Sequence, residues 1–118
     1  MILVDTSVWV DHLRRGEPDL SRRLEAGEVL THPLVVGELA MGNLRQRETV
    51  LGALQALPRA VVASDDEVLA YVERKALHGQ GIGYVDAHLL ASARLSPDTR
   101  LWTRDRRLAE LAGLLGLV

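Results

Sequence analysis

The most constraining feature of this chain is a rhythm in which short apolar runs alternate with stretches whose apolar residues recur every three to four positions. Ile2–Val4, Val29–Leu30, Ala60–Ala63 and Leu101–Trp102 have the length and character of buried strands, and Gly116–Val118 is a candidate fifth. Leu20 and Leu24 mark a helix closed by Gly27, and Val50, Leu51, Leu54 and Leu57 mark one stopped by Pro58. Val68, Leu69, Val72 and Ala76 mark a third, opened by Ser64 and Glu67 at capping-box spacing. Leu108, Leu111, Ala112 and Leu115 mark a last one, ended by Gly116. Strands that alternate with helices need crossover connections, so the expected fold is α/β, a short and mostly parallel sheet with helices on both faces. No linker, repeat or low-complexity segment interrupts the 118 residues, which read as one domain over 1–118.

In a parallel sheet the carboxyl ends of all strands share one edge, and open α/β folds bind their ligands there. Asp5 directly follows the first apolar run, and Asp105 follows "LWT" after one residue, so two acids about a hundred residues apart come to one edge. Each also precedes a helical stripe, where an aspartate caps free N–H groups, and capping is a sufficient reading of either alone. Glu38 and Asp86 resist that reading. In "HPLVVGELAMG" Glu38 shares a helical face with Leu34, Val35 and Met41, and in "GYVDAHLLASA" Asp86 shares one with Leu90 and Ala93. No Lys or Arg stands three or four residues from Asp86. A carboxylate turned into a core without a partner is costly or becomes neutral. Four acids converging on one edge repel one another unless a cation holds them. An oxygen-only donor set in a chain without cysteine points to Mg²⁺ or Mn²⁺. The hydroxyls of Thr6, Ser7 and Thr103 flank two of these acids and are placed either to orient them or to cap helices.

The remaining candidates are weaker. His12, His32, His78 and His88 show no paired ligand spacing, and "GQGIG" at 79–83 lacks the spacing of a phosphate loop and follows a helix. That turn is expected to cap a helix and to deliver Asp86 to the site. The net charge of −2 is not that of a basic nucleic-acid binder, although setting four acids aside for a metal leaves the rest of the chain slightly basic. All but one of the 14 basic residues are arginine, the side chain suited to bidentate phosphate contacts. No run reaches the ~18 apolar residues of a membrane span. The first run stops at Asp5 without a basic flank, so no signal peptide and no membrane association are expected, and the location is expected to be cytoplasmic.

Four segments, "VDTSVWVDHL" at 4–13, "HPLVVGELAMG" at 32–42, "GQGIGYVDAHLLASA" at 79–93 and "LWTRDRRL" at 101–108, together carry a likeness. In this order and spacing the chain resembles the PIN-domain nucleases, specifically the VapC-type toxins of bacterial toxin–antitoxin pairs. The resemblance covers nearly the whole length. It implies an acidic quartet at Asp5, Glu38, Asp86 and Asp105, Mg²⁺ or Mn²⁺ dependence, cleavage of single-stranded RNA, a homodimer, and a small VapB-type antitoxin as partner. On this reading Asp5, Asp86 and Asp105 ligate the metal while Glu38 completes the pocket. Arg104, Arg106 and Arg107 adjoin Asp105 and are candidates for holding the RNA backbone, against the plainer reading of a solvated helix face. Two other classes compete. A phosphoryl-transfer enzyme with an aspartate nucleophile is disfavoured, because Asp5-Thr6-Ser7 lacks the second acid and the single lysine, Lys75, lies mid-chain. A non-catalytic module whose acidic groove binds a basic peptide stays open, and metal-dependent turnover separates it from a nuclease.

Overall fold

Leu3 and Val4 point to opposite faces of one strand, and both are fully buried, so both faces of the sheet are covered. The computed structural model describes residues 1–118. Its element order is β1 (Ile2–Val4), α1 (Thr6–Arg15), α2 (Pro18–Glu25), β2 (Val29–Leu30), α3 (Pro33–Ala40), α4 (Arg47–Ala56), α5 (Asp65–Lys75), α6 (Tyr84–Leu95), β3 (Arg100–Trp102) and α7 (Arg106–Leu114). The sheet is parallel with strand order β2-β1-β3. Register pairs Leu3 with Leu30 on one side and Val4 with Trp102 on the other. Every element contributes to a single hydrophobic core.

The expected helix boundaries hold for local reasons. Gly27 adopts φ +70 just past α2, a conformation that ends a helix with little strain in glycine alone. Ser64 and Glu67 close a full capping box on α5, and α4 ends two residues before Pro58.

Two expected strands do not form. Ala60–Ala63 runs extended but joins the sheet only through one bridge, Thr31 to Arg59, and the Ala60 N–H to the Thr31 carbonyl at 2.9 Å. Beyond it the N–H groups of Val61 and Ala63 donate to Ser96 Oγ (2.9 Å) and Ser92 Oγ (3.4 Å), so two side chains one turn apart on α6 replace a partner strand. Gly116–Val118 likewise gives one bond, Leu101 N–H to the Leu117 carbonyl at 2.7 Å, because Gly116 turns the chain at φ +74. α6 is the most buried helix, with Ala87 through Ala93 all inside. Its small residues Ala87, Ala91, Ser92 and Ala93 let neighbours approach closely, and Asp86 stands directly in front of this run.

Candidate acidic active site

Two of the four acids are placed by the sheet itself. The Asp5 N–H donates to the Trp102 carbonyl at 2.9 Å, which ties the residue after β1 to the last residue of β3. Asp5 is buried and occupies the N-cap position of α1, yet its side chain makes no capping bond. Its Oδ2 instead accepts Ser7 Oγ–H (2.7 Å) and Thr103 Oγ1–H (2.8 Å). Helix capping therefore does not account for this carboxylate. Ser7 Oγ also accepts the Arg104 N–H (2.9 Å), and Thr103 Oγ1 accepts the Asp105 N–H (3.0 Å). Ser7 and Thr103 thus form a hydroxyl relay binding Asp5 to the loop that bears Asp105. Asp105 does cap, since its Oδ1 accepts the Leu108 N–H at 3.0 Å.

The other two acids come from helices. Asp86 is half-buried in the first turn of α6, and its Oδ2 accepts the Gly83 N–H at 3.0 Å. Glu38 sits on an exposed rim of α3 rather than in the core, and its Oε1 accepts the Thr6 hydroxyl at 2.6 Å. Burial therefore penalises the Asp86 carboxylate but not that of Glu38, which the apolar stripe of α3 does not carry into the core. The Asp86 carboxyl is held above the ordinary carboxylate range, first by burial and then by the negative charges of Asp5, Asp105 and Glu38, with the Gly83 N–H opposing. Three acids from three other parts of the chain thus act on one carboxyl, and the four share one locality.

The set fits a hard divalent cation in its chemistry: only oxygen donors, mutual repulsion acting on Asp86, and a free Oδ1 on Asp5. As the side chains stand, no three His, Asp or Glu are gathered tightly enough to hold an ion. Each acid is turned to a donor of the protein itself, so a cation has to compete with Gly83 for Asp86 and with Leu108 for Asp105.

The three arginines beside Asp105 separate. The Arg104 guanidinium binds Asp11 (Nε to Oδ2, 2.7 Å) and Glu17, clamping α1 and the start of α2 to this loop. Arg107 bonds Gln80 and Glu110. Arg106 alone is exposed and without an acidic partner. The sequence gives no sign of Asp11, Glu17 and Gln80 as partners, because nothing in their spacing joins them to arginines some 27 to 93 positions away.

A short parallel sheet with acids gathered at its carboxyl edge, on elements in this order, is the architecture of a nuclease-like α/β domain. The sequence model of the PIN domain matches residues 2–114, and the chain belongs to the PIN-domain family. Among known proteins, Ribonuclease VapC32 of Mycobacterium tuberculosis (strain CDC 1551 / Oshkosh) is 51% identical over 108 residues, which cover 92% of this chain and 87% of that protein. The protein of the same name from strain H37Rv matches to the same extent.

Proposed function

We propose that this chain is a metal-dependent endoribonuclease, the toxin of a toxin–antitoxin pair, and that Asp5, Glu38, Asp86 and Asp105 form its active site. The observation that carries the reading is geometric: Ser7 and Thr103 tie Asp5 to the loop that bears Asp105, and Glu38 bonds Thr6 beside Asp5. The 51% identity to proteins named as ribonucleases supports it over the acidic-groove and phosphoryl-transfer alternatives.

A bound Mg²⁺, or Mn²⁺, would lower the pKa of an attacking water and offset the charge of the scissile phosphate. Asp5 presents its free oxygen from a carboxylate fixed by Ser7 and Thr103. Asp86 and Asp105 would supply the further ligands. Glu38, solvent-accessible and hydrogen-bonded through one oxygen to Thr6, keeps the other to orient a water and accept its proton. Arg106 is the one arginine of its trio free to meet an RNA phosphate. Beside Glu38 and Thr6 opens a groove of about 620 Å³, walled by Val10, Leu13, Leu39 and Val50 and edged by Arg14 and Arg45. It is where an antitoxin segment would reach the acids. A homodimer and a cytoplasmic location complete the reading, and no helix is long and apolar enough to cross a membrane.

The test is cleavage of total RNA by the purified protein with Mn²⁺, with EDTA, and with Asp86→Asn. Discrete fragments ending in 5′-phosphate and 3′-hydroxyl, formed only by wild type with metal, are the expected result. A 2′,3′-cyclic phosphate would mean that the ribose hydroxyl attacks and would overturn the mechanism. Full activity of Asp86→Asn would overturn the site.

A further inference from the structure

We propose that Arg107 is a positioning residue of the reaction: through Gln80 it fixes the Gly79–Gly83 turn against α7 and so sets Asp86 relative to Asp105. The inference rests on the reading of the acidic site as the nuclease centre.

The segment between α5 and α6 has little to hold it. It contains no regular element, and Ala76, Gly79 and Gly81 all take left-handed backbone conformations at φ 52, 67 and 83. A glycine-rich turn loses much conformational freedom when ordered. Its own bonds are few: Leu77 N–H to Val72 at the start, and a long Gln80 Nε2 to Ala76 contact of 3.4 Å. Yet this turn sets the first turn of α6, and the Gly83 N–H is what Asp86 accepts.

Arg107 supplies the missing constraint. Its Nε donates to the Gln80 carbonyl at 2.6 Å and its Nη2 to Gln80 Oε1 at 2.5 Å, so one guanidinium fork grips main chain and side chain of the same residue. Its third nitrogen, Nη1, donates to Glu110 at 2.8 Å, one turn along α7, which braces the fork. The arginine stem also lies against the turn, since a Cβ on Gly81 would sit 3.6 Å from Arg107 Cγ. Arg107 is two residues beyond Asp105 in the first turn of α7. One side chain therefore joins the helix start that carries one acid to the turn that launches the other. With all three guanidinium nitrogens engaged, Arg107 is not the phosphate contact its neighbourhood suggests. An ångström of misplacement in a catalytic group is enough to lower a rate by about 100-fold.

The experiment compares wild type with Arg107→Ala, Arg107→Lys, Gln80→Ala, the Arg107→Ala/Gln80→Ala double variant, and Asp86→Asn. Three quantities are read: Mn²⁺ affinity without RNA by calorimetric titration, single-stranded RNA binding against salt in EDTA, and kcat and KM with Mn²⁺. Arg107→Ala is expected to weaken Mn²⁺ binding by about 10-fold and kcat by roughly 10–100-fold. KM and the salt dependence of RNA binding stay as in wild type. Arg107→Lys does not rescue, because an ammonium cannot span both Gln80 oxygens. Gln80→Ala, which leaves the main-chain bond, falls between, and the double variant is no worse than Arg107→Ala. A salt slope reduced by about one with unchanged Mn²⁺ affinity would make Arg107 a phosphate anchor and overturn the proposal. So would a lowered melting temperature with unchanged Mn²⁺ affinity and kcat. If Arg107→Ala does not fold, Gln80→Ala decides by the same readouts. Asp86→Asn separates the two levels: if it retains full cleavage, the reading of the site fails whatever Arg107 does.

Discussion

Asp5 and Asp105 hang from the carboxyl ends of two paired strands, whereas Asp86 and Glu38 are carried by α6 and α3, away from the strand ladder. On the strand side Asp5 Oδ2 takes two hydroxyls, each hydroxyl takes a backbone N–H, and Arg104 clamps the loop to α1. On the helix side Asp86 has one backbone N–H from a glycine turn, and Glu38 has one hydroxyl. The strand half is preorganised; on the helix half Asp86 is desolvated and also repelled by Asp5, Asp105 and Glu38. Such an arrangement sacrifices stability where the chemistry needs it. On the proposed reading a bound cation would offset that repulsion.

The sharpest way to break the contrast is to neutralise one acid on each side. Asp5→Asn and Asp86→Asn should each lower cleavage by on the order of 1000-fold, as losses of groups that act together usually do. Their metal-free melting temperatures should move in opposite directions. Asp86→Asn relieves repulsion and raises Tm, while Asp5→Asn weakens two charge-assisted bonds and lowers it. Equal shifts of the same sign would erase the difference between the halves.

A second level concerns the relay. Ser7→Ala or Thr103→Val should reduce metal affinity and activity by about 10–100-fold and cost about 1 kcal/mol in urea unfolding. Thr6→Val, on the helix side, should cost less on both counts, since Glu38 is exposed.

The third tests what anchors the helix half at its far end. His32 caps α3 by accepting the Leu34 N–H and bonds Ser92 of α6 at 3.0 Å, joining the two helices that carry Glu38 and Asp86. Its pKa is lowered from 6.5 to about 4, by burial first and then by the positive charges of His88 and Arg59. The unfolded chain takes up this proton near the ordinary value and the native state only near the lowered one. Stability is therefore present above pH 6.5 and lost as pH falls through the window to about 4, by roughly 3 kcal/mol in total. Asp86, raised, acts in the opposite sense at the acid end of that range. Urea unfolding at pH 7 and pH 5 should show the loss in wild type and a flatter profile in His32→Asn. The smallest effect belongs to Arg106→Ala, which should weaken RNA binding a few-fold and reduce the salt slope by about one while sparing metal affinity.

The strand half was far more legible in the sequence than the helix half. A parallel sheet fixes which end of each strand is the ligand edge, so Asp5 and Asp105 could be placed together from the strand positions alone. Glu38 shared an apolar stripe in sequence, yet the rotation of α3 leaves it on the rim, a matter of tertiary packing that periodicity does not carry. The arginines beside Asp105 misled for a similar reason: their partners Asp11, Glu17 and Gln80 are brought near only by the finished fold. Ala60–Ala63 read as a strand because it is short and apolar, but the serines that satisfy its N–H groups sit 29 and 35 residues on. Hydrogen-bond partners of that kind leave no periodic trace.

Those serines have a wider effect. A three-stranded sheet has two open rims, and an exposed rim is a template for another chain to add a strand. Here Ser92 and Ser96 occupy the amides beyond β2, while Leu117 covers the amide of Leu101 on the far side. These amides are withdrawn from pairing with another chain, which opposes edge-to-edge aggregation. A companion that added a strand at either border would first have to displace these bonds.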